Sequence, residues 1–557
     1  MKNFFRIFWA LISLLSVGSG QTSRGKIHIN TIPLYDLDIR VLPDAHRLEA
    51  SGTLRLPAAN KSRPEIRLSL SEVMRDLTVE VLEPAASAGI TKVERSSASD
   101  ETIKWIVRPV RPIPANRSVL LRFSYAGGEQ ITSLFYIGPE VSFASAWGAY
   151  WYPLIDGENN KGIGMLRLSV PVGQTVYASS HRRSSTHEAM QGIFKFEFLH
   201  PTYFSFAAGN YTVVRRYGAV PMALYLLKPR QNIEHYLDGV ARILNVLTRE
   251  FGSYPFDKFA LVEIPRELAQ KAGFNAASVQ GFVMVNHRAF DVRGADVKYI
   301  LNFYGHEFSH QWFPHAVGVA LKTPHGHYMV EALAEYGGLR VTEALAGAAA
   351  AGRYRRIGFE YDPIYSALEY FKLVGAGIDH PLSNLNSSLE HRNLAYNKGF
   401  LVFDMLSREI GREKFQHILH NITRRYAFRD ITWSEFLRAI ETGAGRDLQW
   451  FYEQWFERTG APDFQLTWKQ ESGTLRGVIT QTLPYYQASL EIEAKNNQGQ
   501  RLIRPVKVRG AETSFSFPVT FRVESAALDP KYLVLRWTPE YRNAASAARS
   551  PSQKTGH

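Results

Sequence analysis

The sequence predicts a multidomain α+β protein, with an N-terminal β-rich domain, a mostly helical central domain and a small C-terminal β-sandwich. Three observations predict it. From about Ile32 to Tyr211 the apolar residues recur with period two, and Pro and Gly fill the gaps. From about Tyr217 to Phe456 the pattern is helical, around one short mixed stretch, Phe259–Ile264. Strand period then returns, over a length sufficient for a small sandwich and no more.

In chain order, Met1–Gly20 reads as a secretory signal. Lys2 and Arg6 give a positive start, Phe8 to Val17 a short apolar core, and Gly18-Ser19-Gly20 small residues for cleavage. The apolar run is short of the roughly 18 residues that a spanning helix needs, and no second such run follows. In the N-terminal domain, 21–212, Tyr35, Leu37, Ile39 and Val41 alternate with Asp36, Asp38 and Arg40, and Leu121, Phe123 and Tyr125 repeat the pattern. The central domain is expected over 213–460. In the sandwich, 461–540, Leu490, Ile492 and Ala494 alternate with Ser489, Glu491 and Glu493, ahead of a turn at Asn497-Gln498-Gly499. The tail, 541–557, is small and polar and is expected to lack order.

The chain has 557 residues, a formal net charge of +13 and no cysteine. Absence of cysteine excludes disulfides, thiolate metal sites and a lipid-modified cysteine anchor. An exported protein of this size without disulfides fits a bacterial periplasm or medium, so a periplasmic or extracellular location is expected. Short basic clusters such as Arg353, Arg355 and Arg356 are not a stripe interleaved with aromatics. They read as a solvated face rather than a nucleic-acid interface.

The chemistry concentrates in His306-Glu307-Phe308-Ser309-His310, followed by Glu331. A helix carries residues four apart on one face, so two imidazoles can meet one metal ion, with Glu307 one step round the helix. Val297, Ile300, Leu301, Tyr304 and Phe308 give the apolar stripe of that helix, and Pro314 is expected to stop it after Phe313. Both histidines lie off the stripe. Glu331 opens a second apolar-periodic stretch, Tyr328–Tyr336. Two imidazoles and a helix-borne carboxylate make a three-ligand zinc site with an open fourth position, as catalytic zinc requires. His315, His325 and His327 are further imidazoles in a Pro/Gly-containing loop, and Glu335, one turn after Glu331, competes with it as a ligand.

HEFSHQWF at 306–313 and Glu331-Ala332-Leu333-Ala334-Glu335-Tyr336 resemble the aminopeptidase N-type zinc metallopeptidases. Leu394-Ala395-Tyr396-Asn397-Lys398-Gly399 resembles the family's Tyr-x-Lys-Gly segment. Phe251–Phe256 and Trp455–Pro462 resemble its catalytic-domain boundaries, and Tyr35–Ile39 its first strand. The resemblance implies a saddle-shaped N-terminal domain, a thermolysin-like catalytic domain and a form without the family's long helical C-terminal domain. It implies one zinc per chain, held by His306, His310 and Glu331, with a peptide as substrate. Glu307 would be the general base, and Tyr396 would stabilise the tetrahedral intermediate. Glu335 is expected to orient a histidine. The other account of Tyr396 is a core tyrosine at a helix start.

The sequence departs from the family in three places. The spacing from His310 to Glu331 is two residues longer than usual, which the 314–327 loop can absorb. The family's Gly-Ala-Met-Glu-Asn segment should fall at Asn275–Gly281, and no acidic residue stands there. Ala276, Ala277, Ser278, Val279, Gln280 and Gly281 are therefore expected to line the substrate cleft without the glutamate that would bind a free α-ammonium group. Glu263 or Glu267 could replace it. Val141–Trp147 in the N-terminal domain likewise lacks an acid or amide. The expected function is an exported aminopeptidase-like zinc peptidase with an altered amine anchor. Alternatives are a zinc peptidase or endopeptidase that needs no free N-terminus, and a catalytically silent zinc-binding scaffold.

Overall fold

The computed structural model describes residues 31–549 apart from 91, 100–101, 157–159, 181, 189, 292–295, 320–325, 360–363 and 387. Met1–Gly20, read as a signal, lies outside the described residues. No helix among the described residues is long and apolar enough to cross a membrane.

The N-terminal domain is β-rich. Its largest sheet has eight strands, and Leu34–Leu42 lies inside it, antiparallel to Arg47–Leu56 and parallel to Gly162–Pro171. Tyr35, Leu37, Ile39 and Val41 are buried as their period requires, and they share a core with Leu121, Phe123 and Tyr125 of Val119–Gly127. Two four-stranded sheets complete the domain.

The central region contains more strand than its sequence suggests. A five-stranded sheet is built from β1 (Thr212–Arg216), β2 (Met222–Leu226), β3 (Phe259–Ile264), β4 (Ala276–Val279) and β5 (Phe282–Asn286), in the order β1-β2-β3-β5-β4. Only Phe259–Ile264 stands out as a strand in the sequence. β5 is buried at every position, so it shows no alternation and reads as a featureless apolar run.

Against this sheet pack α1 (Ile233–Phe251), α2 (Leu301–Ser309) and α3 (Gly326–Ile357), the last broken at Gly347, where φ is 90°. Tyr304 and Phe308 of α2 stack on each other, and Phe308 meets Phe259 of β3 with ring centroids 4.7 Å apart. Burying one such ring contributes roughly 1.5–3 kcal/mol. The α2 helix ends at Ser309 rather than Phe313; residues 311–316 form a wider turn, with Phe313 extended before Pro314, whose ring disfavours a helical residue ahead of it. The α2 and α3 helices cross with almost no side chain between them: a Cβ on Gly305 would stand 2.7 Å from the Cα of Gly338.

After the central region, Gln465–Glu471, Thr474–Thr480 and Glu512–Pro518 form one three-stranded sheet, and Ala488–Lys495, Arg501–Val508 and Ser525–Leu528 another. Leu490, Ile492 and Ala494 point inward, as their alternation predicts.

The tail differs from expectation. Pro539–Arg549 is a helix, α5, rather than a strand end and a segment without order. Its small residues permit what a bulky face would prevent: Ala545 packs so closely on Gly375 that a Cβ on that glycine would meet the Ala545 backbone, and Tyr541 stacks on Phe371 with centroids 4.8 Å apart. Glu540 pairs with Arg356. Residues 550–557 lie outside the described residues.

Candidate metal centre

The two facing helices bring three donors to one point. His306 Nε2 and His310 Nε2, one turn apart on and just after α2, are 3.1 Å from each other. Glu331 Oε2, on α3, lies 3.3 Å from the first and 3.5 Å from the second. A tetrahedral ion with bonds of about 2.0 Å sets its ligands about 3.3 Å apart, so this donor set fits zinc. The three residues are also the one His/Cys/Asp/Glu group of metal-binding geometry found among the described residues.

The outer nitrogens are held as well. His306 Nδ1 lies 3.0 Å from Glu335 Oε1, and His310 Nδ1 lies 3.0 Å from the Phe313 carbonyl. The Phe313 carbonyl can only accept, so a proton on His310 Nδ1 leaves its Nε2 lone pair for a bound ion, and the Glu335 carboxylate beside His306 Nδ1 favours the same tautomer there once an ion takes Nε2. Glu335 is only 2 % exposed and also accepts a short hydrogen bond from the Tyr354 hydroxyl. Glu331 and Glu335 sit one turn apart on α3 but do different work: Glu331 reaches the point where both histidines converge, and Glu335 reaches behind one of them.

Charge at this point is strongly coupled. Burial opposes a charged His306, but the Glu331 and Glu335 carboxylates outweigh it and raise its pKa well above the ordinary value. Burial likewise opposes a charged Glu331, and His310 and His306 overcome it, holding its pKa well below the ordinary carboxylate range. For Glu307 burial prevails, and its pKa is raised. Glu307 follows His306 directly on α2, half-buried beside the donors.

Tyr396 arrives from a third element. Residues 395–399 form a wide turn before α4 (Phe400–Ile410), and Tyr396 donates a short hydrogen bond to Glu331 Oε2. Its ring stacks on His306 at 5.5 Å and on Tyr365 at 4.5 Å. Burial and then the Glu331 charge raise its pKa, keeping the hydroxyl protonated. The turn can press against α3 because residue 399 is glycine: a Cβ there would stand 2.5 Å from that of Ala332.

The segment expected to meet substrate is β4 and its turn. β4 ends the sheet, pairing with β5 alone among the described strands. Strand period sorts its side chains. Ala276 and Ser278 are half-exposed, whereas Ala277 and Val279 are buried in the core on the other face. The Gln280 amide donates to the carbonyls of Pro201 and His315, so it joins domains rather than lining the cleft. Of the six expected cleft residues, Ala276 and Ser278 have half-exposed side chains, and Ala277, Val279, Gln280 and Gly281 are buried.

Neither candidate replacement acid supplies an anchor. Glu263 is 2 % exposed and bonds Arg230 and the Leu227 N–H, so its charge is already met. Glu267 is exposed on a short helix, Arg266–Lys271. Val141–Ser145 is a buried strand of the N-terminal domain.

Of the other imidazoles, His315 is buried beside Ser278 and pushed down to about 3, by burial first and His310 next. His327 lies in the first turn of α3, and His325 is outside the described residues. Sequence reasoning missed Tyr354, Tyr365 and Gln311. Gln311, next to the second histidine, was visible within the motif but carried no assigned role.

Residues 235–455 match the peptidase family M1 domain. Aminopeptidase N of Streptomyces lividans is 25 % identical over 268 residues, covering 43 % of this chain and 28 % of that protein. Aminopeptidase M1-B of Oryza sativa subsp. japonica is 22 % identical over 240 residues, covering 41 % and 25 %. The matched stretch thus spans only about a quarter of those relatives. Among solved structures, an M1 zinc metallopeptidase from Deinococcus radiodurans superposes with a TM-score of 0.59 at 18 % identity, covering 76 % of this chain and 94 % of that one. Legionella pneumophila aminopeptidase A in complex with aspartic acid gives 0.68 at 14 % identity, covering 93 % and 61 %. The structural matches share the fold, the matched M1 domain covers the candidate metal centre, and together with the aminopeptidase relatives they support an aminopeptidase N-type zinc metallopeptidase family.

Proposed function

We propose that this protein is an exported zinc peptidase, aminopeptidase-like in its catalytic parts and altered where the substrate's amino end would be held. The observation that carries the reading is the convergence of His306, His310 and Glu331 with Glu307 and Tyr396 around one point. One zinc ion held by the three donors would polarise the scissile carbonyl and acidify the attacking water. Glu307, its pKa raised by burial, takes that water's proton and returns it to the leaving amine. The Tyr396 hydroxyl, kept protonated, turns its hydrogen bond from Glu331 to the developing oxyanion, a contribution of about 3 kcal/mol for one donor. Glu335 fixes the tautomer and tilt of His306. Substrate lies along the open edge of β4 as an added strand.

A peptidase that does not demand a free N-terminus is the second reading, favoured by Ser278 standing where the family resemblance puts a glutamate and by the engagement of Glu263 with Arg230. The presence of both Glu307 and Tyr396 beside the donor set argues against a silent scaffold. The test is hydrolysis of a mixed peptide library by the purified protein, with and without a chelator, and with Glu307→Gln as control. Chelator-sensitive cleavage lost in the variant is expected; no cleavage of any peptide contradicts the reading. Export rests on the signal-like Met1–Gly20, and sequencing the N-terminus of the mature protein tests it.

A further inference from the structure

Tyr396 donates to Glu331 Oε2, which belongs to the metal donor set, yet the hydrolysis proposed above needs that hydroxyl at the oxyanion. The hydroxyl must therefore move, and the contacts of the Tyr396 ring decide how. The ring is stacked on two others. The His306 imidazole lies 5.5 Å away with the planes 16° apart, and the Tyr365 ring lies 4.5 Å away with the planes 21° apart. A stacked face resists displacement along the ring normal, because separating the faces loses dispersion contacts, whereas a slide in the ring plane keeps most of them. The phenol oxygen lies in that plane, so the slide is the motion left to it.

Of the two stacking partners, His306 is already held from behind by Glu335. Tyr365 is held from a different part of the chain. It stands two residues before the helix Ala367–Gly375, and its neighbour Ser366 is fully buried. The Ser366 N–H donates to Asn397 Oδ1 at 2.9 Å, and the Asn397 amide donates to the Asn393 carbonyl at 2.9 Å. The Ser366 hydroxyl accepts from the Glu369 N–H and caps the helix. Asn397 follows Tyr396 directly, so these bonds tie the backbone beside Tyr365 to the turn that bears the phenol. None of them involves the Tyr365 ring. Replacing that ring removes the stack and leaves the segment anchored.

We infer that Tyr365 is a positioning residue for the hydrolytic step: its ring holds the plane of Tyr396, so that the hydroxyl passes between Glu331 and the oxyanion by sliding in that plane. Tyr365 acts through Tyr396. The inference rests on the peptidase reading above and adds a residue to it.

The experiment measures kcat and KM for Tyr365→Leu and Tyr365→Phe in the zinc-loaded protein, each alone and combined with Tyr396→Phe. Leucine keeps an apolar side chain there but has no flat face. Tyr365→Leu should lower kcat by about three- to tenfold, the range that one stacked ring pair supplies, and leave KM nearly unchanged. Tyr365→Phe keeps the stack and should hold kcat within about twofold of the wild type. In the Tyr396→Phe background the hydroxyl to be positioned is gone, so Tyr365→Leu should change kcat by less than about twofold. An unchanged kcat in Tyr365→Leu, a loss that falls on KM instead, a loss that Tyr365→Phe shares, or a loss that persists undiminished in the Tyr396→Phe background overturns the inference and leaves the peptidase reading intact. No cleavage of any peptide by the wild type sinks the peptidase reading instead. In that case fluorine NMR of a fluorotyrosine placed at Tyr396 still decides the inference. A single line with Tyr365 or Tyr365→Phe, broadened or divided in Tyr365→Leu, is expected, and the same line in all three contradicts it.

Discussion

A Cβ on Gly305 would stand 2.7 Å from the Cα of Gly338, so the helices that carry the metal donors touch backbone to backbone. This contact lets Glu331 and Glu335 of α3 reach His306 of α2 with their short side chains. Gly305→Ala forces the helices apart; overpacking of this kind costs about 1–3 kcal/mol. The variant should melt at a lower temperature and bind zinc more weakly, read by calorimetry and by metal titration. Wild-type values for both would show that the crossing tolerates a methyl group.

Glu331 and Glu335 should separate cleanly by metal content. Glu331→Ala removes a donor, and the purified protein should lose most of its zinc. Glu335→Ala leaves the donors in place but frees His306 Nδ1, which should weaken zinc binding by about 10–100-fold. Retained zinc in the first variant and none in the second would exchange their roles.

Glu307→Gln should hold zinc and fold normally while kcat falls by about 10²–10⁴. Tyr396→Phe should lower kcat more than it raises KM, since the tetrahedral state needs the hydroxyl and the ground state does not. Steady-state kinetics check both, and near-normal turnover in either variant contradicts the assigned role.

Asp404 on α4 should matter to stability rather than to chemistry. It is 1 % exposed and accepts from Arg355, Arg408 and Arg412 at 2.8, 3.1 and 2.8 Å. Burial opposes its charge, but the three guanidinium groups prevail and hold its pKa far below the ordinary carboxylate value. A depressed native pKa means stability that is present above about pH 4 and lost on acidification below it. Asp404→Asn leaves the buried Arg355 and the half-buried Arg408 and Arg412 with Glu343 as their shared counter-charge, and should cost about 3 kcal/mol at pH 7. Urea unfolding should show the gap between wild type and variant narrowing below pH 4. A gap independent of pH would contradict the charge argument.

The parts of this molecule set by short-range pattern were legible before folding. The i, i+4 histidines, the helix-borne Glu331 and the alternation of Tyr35 to Val41 each follow from one element's period. What was not legible depends on elements meeting. β5 hides because burial on both faces removes alternation. The closeness of Gly305 to Gly338 and of Gly399 to Ala332 is a property of helix pairs, not of either helix. Tyr354 and Tyr365 look like ordinary aromatic residues until the fold sets one on Glu335 and the other on Tyr396. Composition misled at the tail, where small residues signal close packing on Gly375 rather than lack of a core.

The central claim is that peptide hydrolysis here depends on one zinc held by His306, His310 and Glu331. The most direct measurement is titration of the metal-free protein with zinc while following peptide cleavage and bound metal together. Activity should rise from near zero, in step with bound zinc, and level off at one ion per chain. Cleavage by the metal-free protein, or a plateau reached with no zinc bound, would contradict the account.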